Sequence, residues 1–248
     1  MRTQMLTLAD VLEGLVGMRP ETQAQPITTT VIDSRNARPG ALFVAFEGEE
    51  ADGHDFVGDA FSNGAVAALI EHEVSTESQV LDLRGGGKMP PEGVSLPVVL
   101  RVDETLEALQ RLATFWRSCQ KGLRVIGITG SVGKTTTKEL AAAVLGRRYA
   151  TIKSEASYNN EIGLPLTLLN LTGRHERAVL EMGMYDVGEI ADLARIGQPH
   201  VGVVTIIRPV HMERAGSFER IVEAKTEPVQ ALPSGPEGTA ILNYDDEN

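Results

Sequence analysis

The sequence predicts an α/β protein: a small α/β unit over residues 1–102, a joining helix over 103–121, and a second unit over 122–248 built on a parallel sheet. Three observations predict it. From Arg124 onward short β-rich runs alternate with helical stretches, the pattern of βαβ units. The glycine-rich turn in "VIGITGSVGKTT" sits between a strand and a helix. Before it, apolar residues recur at helical spacing across a single stretch that separates two strand-rich regions.

Taken in order, "ALFVAFEG" (41–48), "AVAALIE" (65–71) and "PVVLRV" (97–102) read as strands, joined by turn-rich connections such as "RPG" and "ADGH". Between the last two, "LRGGGKMPPEGVS" reads as an exposed loop or hairpin excursion, because no helix directly follows its glycines. Asp103 is placed to cap a helix and Glu104 to sit in its first turn. Leu106, Leu109, Leu112, Ala113 and Trp116 then form its apolar stripe, which makes Trp116 a packing residue rather than a stacking platform.

The second unit reads as strand "RVIGIT", a helix after Gly133, strand "YATI", a helix through "IGLPLTLLN", strand "RAVLEMG", helix "GEIADLARI", strand "VGVVTII", helix "SFERIVEAK" and strand "GTAILN". The sequence stops just after that strand, so either the sheet finishes at an edge there or the chain is part of a longer one. Pro228 predicts a kink or an end in the preceding helix, since it lacks an N–H and crowds the carbonyl of Ala224.

Composition narrows the function. Thirty-four acids against 23 bases give a net charge of -11, the wrong sign for tracking a nucleic-acid backbone. The single cysteine, Cys119, excludes an internal disulfide and fits a reducing compartment. The first twenty residues hold acids at Asp10 and Glu13 and no continuous apolar run, so neither export nor membrane insertion is expected. A cytoplasmic protein follows from these readings, and local phosphate binding stays compatible with the negative charge.

That phosphate site is expected at Gly130, Ser131, Val132, Gly133, Lys134, Thr135 and Thr136. Backbone N–H groups and the helix dipole would cradle phosphate oxygens, Lys134 would reach the β- and γ-phosphates, and the Thr135 hydroxyl would face magnesium. The usual spacing asks for glycine where Ile128 stands, and a tight glycine turn with an ordinary lysine is the competing reading. Glu181 ends the strand "AVLE", at the edge of a parallel sheet where ligands bind, and is a candidate metal ligand. A solvated strand-end acid is its bland alternative. No guanine-reading Asn-Lys-x-Asp sequence is present.

"TGSVGKTTTKE", "YNNEIGLPLTLL", "LEMGMYDVGEI" and "RPVHMERAGSFERIVEAK" occur in the order seen in the Mur ligases of peptidoglycan synthesis, which the chain therefore resembles. "DSRNARPGALFVAFEGEEADGHDF" is similar to the family's UDP-binding domain, so the likeness covers nearly the whole chain. The resemblance implies a UDP-substrate domain followed by an ATP-binding domain that is incomplete here, since family members are roughly twice as long. It implies an ATP- and magnesium-dependent amide ligase, monomeric and cytoplasmic. Its substrates would be UDP-MurNAc-tripeptide and D-alanyl-D-alanine, joined through an acyl phosphate. Another Mur ligase adding an amino acid to a UDP-MurNAc-peptide, or a noncatalytic nucleotide-binding half of a two-chain complex, is the alternative. A generic P-loop kinase or ATPase would leave the first hundred residues unexplained.

By the same resemblance His211 helps hold a second magnesium and Lys225 is the lysine that becomes carbamylated. Without it they would be an ordinary polar residue and an ordinary helix-surface lysine. An asparagine near the γ-phosphate is implied at "SYNNEIG", with Asn160 preferred over Asn159 and a turn-forming role as the alternative. Ser34 and Arg35 of "DSR" match residues that contact the UDP portion, a guanidinium suiting a diphosphate. His54 of "DGH" is a further candidate there, with fixing its own loop as the alternative. The chain departs from the family pattern at Ile206 and Arg208, where "TIIRPVH" stands for the frequent "TNIGPVH", and at Ala156 and Ser157.

Overall fold

A computed structural model describes residues 5–20, 24–86, 93–155, 158–184, 186–209 and 216–246. The chain divides into two compact units. The first comprises residues 1–116 with 169–173, and the second 117–168 with 174–248.

The first unit opens with helix α1 (Leu8–Val16), which starts in a reciprocal cap: the Thr7 hydroxyl accepts from the Asp10 N–H while the Asp10 carboxylate accepts the Thr7 N–H. It ends at Gly17, whose φ of 74° closes the last turn as only glycine does without strain. Five strands follow, β1 (Thr29–Val31), β2 (Ala41–Val44), β3 (Ala65–Ile70), β4 (Gln79–Asp82) and β5 (Val98–Arg101), with helix α2 (Val57–Ser62) before β3. They form one parallel sheet in the order β1-β2-β3-β5-β4. Ala41, Phe43, Ala68, Ile70 and Val99 anchor its core, the continuous apolar runs expected of strands covered on both faces. The three strands read from sequence are β2, β3 and β5. Of the glycine-rich stretch after β4, residues 84–86 form a 3-10 turn, and 87–92 lie outside the described residues.

Helix α3 (Thr105–Cys119) buries Leu109, Leu112, Ala113 and Trp116 of the predicted stripe, while Leu106, at its first turn, is only half-buried. The division between units falls within it, after Trp116. At its start the carboxylate of Glu71 accepts the Thr105 N–H at 2.8 Å, while that of Asp103 accepts the Gly85 N–H.

The second unit alternates as predicted: β6 (Arg124–Thr129), α4 (Lys134–Leu145), β7 (Thr151–Lys153), α5 (Gly163–Leu169), β8 (Arg177–Glu181), α6 (Glu189–Gly197), β9 (Val201–Val204), α7 (Phe218–Gln230) and β10 (Thr239–Leu242). Its strands form a parallel sheet in the order β10-β9-β6-β8-β7. After β6 the chain builds β7 and β8 on one side, then crosses to build β9 and β10 on the other. The carboxyl end of β6 is therefore a switch point, where open α/β sheets bind ligands. Helix α7 runs through Pro228 and ends at Gln230, two residues beyond the proline, with the Ala231 N–H reaching the Glu227 carbonyl.

Candidate functional site

At this switch point the chain leaves β6 at Thr129 and turns through Gly130 (φ 137°) and Gly133 (φ 91°) into α4. Gly130 has no alternative: a Cβ there would lie 2.0 Å from the Thr205 hydroxyl oxygen. Helix α4 begins without a side-chain cap, so its first turn keeps N–H groups and the positive end of its dipole for an anion. Lys134 folds back over the loop, its Nζ donating to the Gly130 carbonyl at 2.9 Å. Thr205 and Ser131 hold the loop from below: the Thr205 hydroxyl donates to the Val132 carbonyl at 2.7 Å, and the Ser131 N–H to the Ile206 carbonyl at 2.7 Å.

The register pairs Ile128 of β6 with Glu181 of β8, which puts the Glu181 carboxylate level with the base of the loop. The Thr135 hydroxyl donates to Glu181 Oε2 at 3.0 Å, and the Asn159 amide to Oε1 at 3.0 Å. Glu181 is buried, its N–H bonded to the Ser154 hydroxyl at 3.1 Å. Lys138, one turn beyond Lys134 and fully buried, approaches Oε2 at 3.7 Å and Glu139 at 3.4 Å. Glu139 in turn pairs with Lys153. A hydroxyl and a carboxylate converging beside an uncapped helix N-terminus are the hard oxygen donors that magnesium takes, so these residues fit a magnesium nucleotide. Asn160 sits elsewhere: its side-chain oxygen accepts the Gly163 N–H at 2.9 Å and starts α5.

Lys225 is buried on α7. Burial, then the nearby Lys134 cation, lowers its ammonium to about 8, while Glu227 and Glu189 oppose the shift. Glu227 is engaged at the start of α6, accepting the Gly188 and Ala191 N–H groups at 2.7 Å each. His211 lies outside the described residues.

In the first unit a cavity of about 560 Å³ is lined by residues that include Ser34, Arg35, Phe43, Phe46, Gly53 and Phe56. Two of the three residues predicted for the UDP portion thus meet there. The Arg35 guanidinium is exposed, and it grips Asp33 at 2.7 to 3.1 Å, which holds the Asp33 carboxyl below its usual value. His54 is buried with both nitrogens committed: Nδ1 lies 2.6 Å from Asp52, and Nε2 accepts the Glu71 N–H at 3.1 Å. Its ring stacks on His72 at 3.7 Å. This geometry is that of a residue fixing the 51–56 loop.

The sequence matches the description "Mur ligase middle domain" over residues 128–248, and "Mur ligase family, catalytic domain" over residues 26–117. The chain belongs to the Mur ligase family. Members of that family are ATP-dependent amide ligases. This Mur ligase chain is 41% identical to the UDP-N-acetylmuramoyl-tripeptide--D-alanyl-D-alanine ligase of Synechocystis over 88% of its own length and 44% of the relative's. It is 40% identical to the Bacillus subtilis protein of that name, over 91% and 45%. Among solved structures, MurF from Acinetobacter baumannii superposes with a TM-score of 0.79 at 31% identity, covering 99% of this chain and 50% of that one. MurF from Thermotoga maritima, solved in complex with ADP, gives 0.71 at 32%, covering 89% and 46%. The chain spans about half the length of the curated relatives it matches.

Sequence reasoning missed Lys138 and preferred the neighbour of Asn159. The signal for Lys138 was its spacing, four residues beyond Lys134 and hence on the same helix face.

Proposed function

We propose that this chain carries the UDP-substrate and ATP sites of a ligase that joins D-alanyl-D-alanine to UDP-MurNAc-tripeptide, working as a monomer in the cytoplasm. The observation that carries this reading is the convergence of Lys134, Thr135, Glu181 and Asn159 at the switch point of the second sheet. The dipeptide-adding activity is favoured over other Mur activities because relatives at 35–41% identity bear that name. A UDP-N-acetylmuramoyl-L-alanyl-D-glutamate--2,6-diaminopimelate ligase of known structure is only 19% identical.

On this reading the N–H groups of residues 130–136 bind the nucleotide phosphates, and Lys134 swings from the Gly130 carbonyl to neutralise the β- and γ-phosphates. Thr135 and Glu181 would hold magnesium, which when bound offsets phosphate charge. Asn159 orients the Glu181 carboxylate, and Asn160 holds the turn that delivers Asn159. The γ-phosphoryl group passes to the tripeptide's terminal carboxylate, whose oxygen attacks phosphorus as the bond to ADP breaks. The amine of the dipeptide then displaces phosphate from the acyl carbon. Lys225 is held partly neutral near Lys134, and the neutral amine is the form that adds carbon dioxide to become an anionic carbamate. His211 is assigned to a second magnesium. Ser34 and Arg35 hold the UDP portion in the cavity of the first unit, with His54 supporting its loop.

Calorimetric titration with UDP-MurNAc-tripeptide tests this assignment, with UMP as a control. Saturable one-to-one binding, weakened about tenfold or more by Arg35→Ala, is the expected result. Absence of binding, or binding indifferent to Arg35, would refute the cell-wall substrate.

A further inference from the structure

Past β9 the Thr205 N–H still bonds the Thr129 carbonyl at the end of β6, at 3.0 Å, and beyond it residues 206–208 leave the sheet, so their backbone groups are satisfied by other means. On one side they hold the phosphate loop. Besides the two bonds already described, the Ser131 hydroxyl donates to the Arg208 carbonyl at 2.9 Å and accepts the Arg208 N–H at 2.9 Å. On the other side stands Asp246, with a side chain only 5% exposed. Its Oδ2 accepts the Ile207 N–H at 2.6 Å, and its Oδ1 meets Arg208 Nη1 at 3.3 Å. The same Nη1 donates to the Ile207 carbonyl at 3.0 Å, closing a small ring of bonds around the strap.

The loop's own glycines make it adaptable, so its resting shape depends on what it is tied to. It is tied to the strap by Ser131 and Thr205, and the strap is tied to Asp246. A charged acceptor on a backbone N–H is a strong tie, and it is strongest when buried.

We propose that Asp246 is a positioning residue for nucleotide binding: by fixing the 205–208 strap it preorganises the phosphate loop without touching the nucleotide. The proposal rests on the reading of residues 130–136 as a nucleotide site. A residue that merely anchors the segment after β10 would affect folding and leave the loop alone.

Two measurements separate these cases. First, hydrogen exchange without any ligand: Asp246→Ala should speed exchange of the Ser131 amide, the loop N–H that the strap holds, and unchanged exchange there would overturn the proposal whatever the loop binds. Second, titration with magnesium-ADP: Asp246→Ala and Ser131→Ala should each weaken binding by about tenfold, and the double variant should be no weaker than the weaker single, because both cut one chain of contacts. Asp246→Asn keeps an acceptor for the Ile207 N–H and should recover most of the affinity. Arg208→Gly keeps that bond too and should lose little. Additive losses, failure of asparagine to rescue, or wild-type affinity in Asp246→Ala would each contradict positioning through the strap. If the wild-type chain itself does not bind magnesium-ADP, the nucleotide reading fails, and the preorganising role falls with it.

Discussion

Two lysines in the second unit face opposite electrostatic surroundings. Lys138 is buried beside Glu139 and Glu181, so its charge is compensated. Lys225 is buried, and that burial, with the Lys134 cation adding to it, lowers its ammonium to about 8 from an ordinary 10.5. Because the unfolded chain holds that proton more tightly, the penalty is complete below pH about 8 and fades as pH rises towards 10.5. Lys225→Met should therefore raise the melting temperature at pH 7, with the gain shrinking across that window. Melts from pH 6 to 10.5 check it, and a loss of stability at pH 7 would show the ammonium to be well paired. Lys134, Thr135 and Glu181 were legible because a motif and a strand end name them. Lys138 was not, because its burial depends on β8 packing against α4. The choice between Asn159 and Asn160 turned on which side chain the α5 turn consumes, a detail that adjacent identical residues conceal.

Glu227, on α7, ties that helix to the start of α6. Glu227 accepts two N–H groups at the start of α6, a position where Gly188 has φ 98° and no side-chain cap of its own exists. Glu227→Ala should cost about 1–2 kcal/mol, the usual value of a lost cap, read by urea unfolding. Since Glu227 also opposes the depression of Lys225, its removal should move that ammonium further down. The second unit's elements were readable in order because its longer strands and helices alternate regularly, which placed even the three-residue β7 between two helices. β1 has three residues and β4 a single buried one, too few to show alternation. Helix α1 was missed although its Thr7–Asp10 cap lay in the sequence, with aspartate where glutamate or glutamine completes the familiar box.

At the scale of the molecule, each parallel sheet carries its own candidate site: the Ser34–Arg35 cavity in the first unit and the phosphate loop in the second. Binding of the two ligands should then be separable, each leaving a footprint in its own unit. Among the described residues no helix is long and apolar enough to cross a membrane. Hydrogen exchange read by mass spectrometry on the chain alone, with UDP-MurNAc-tripeptide and magnesium-ADP added in turn, tests the two-site assignment most directly. The UDP-peptide should slow exchange in 32–36 and 51–56, and magnesium-ADP in 130–136. Protection confined to other segments, or the same segments protected by both ligands, would contradict it.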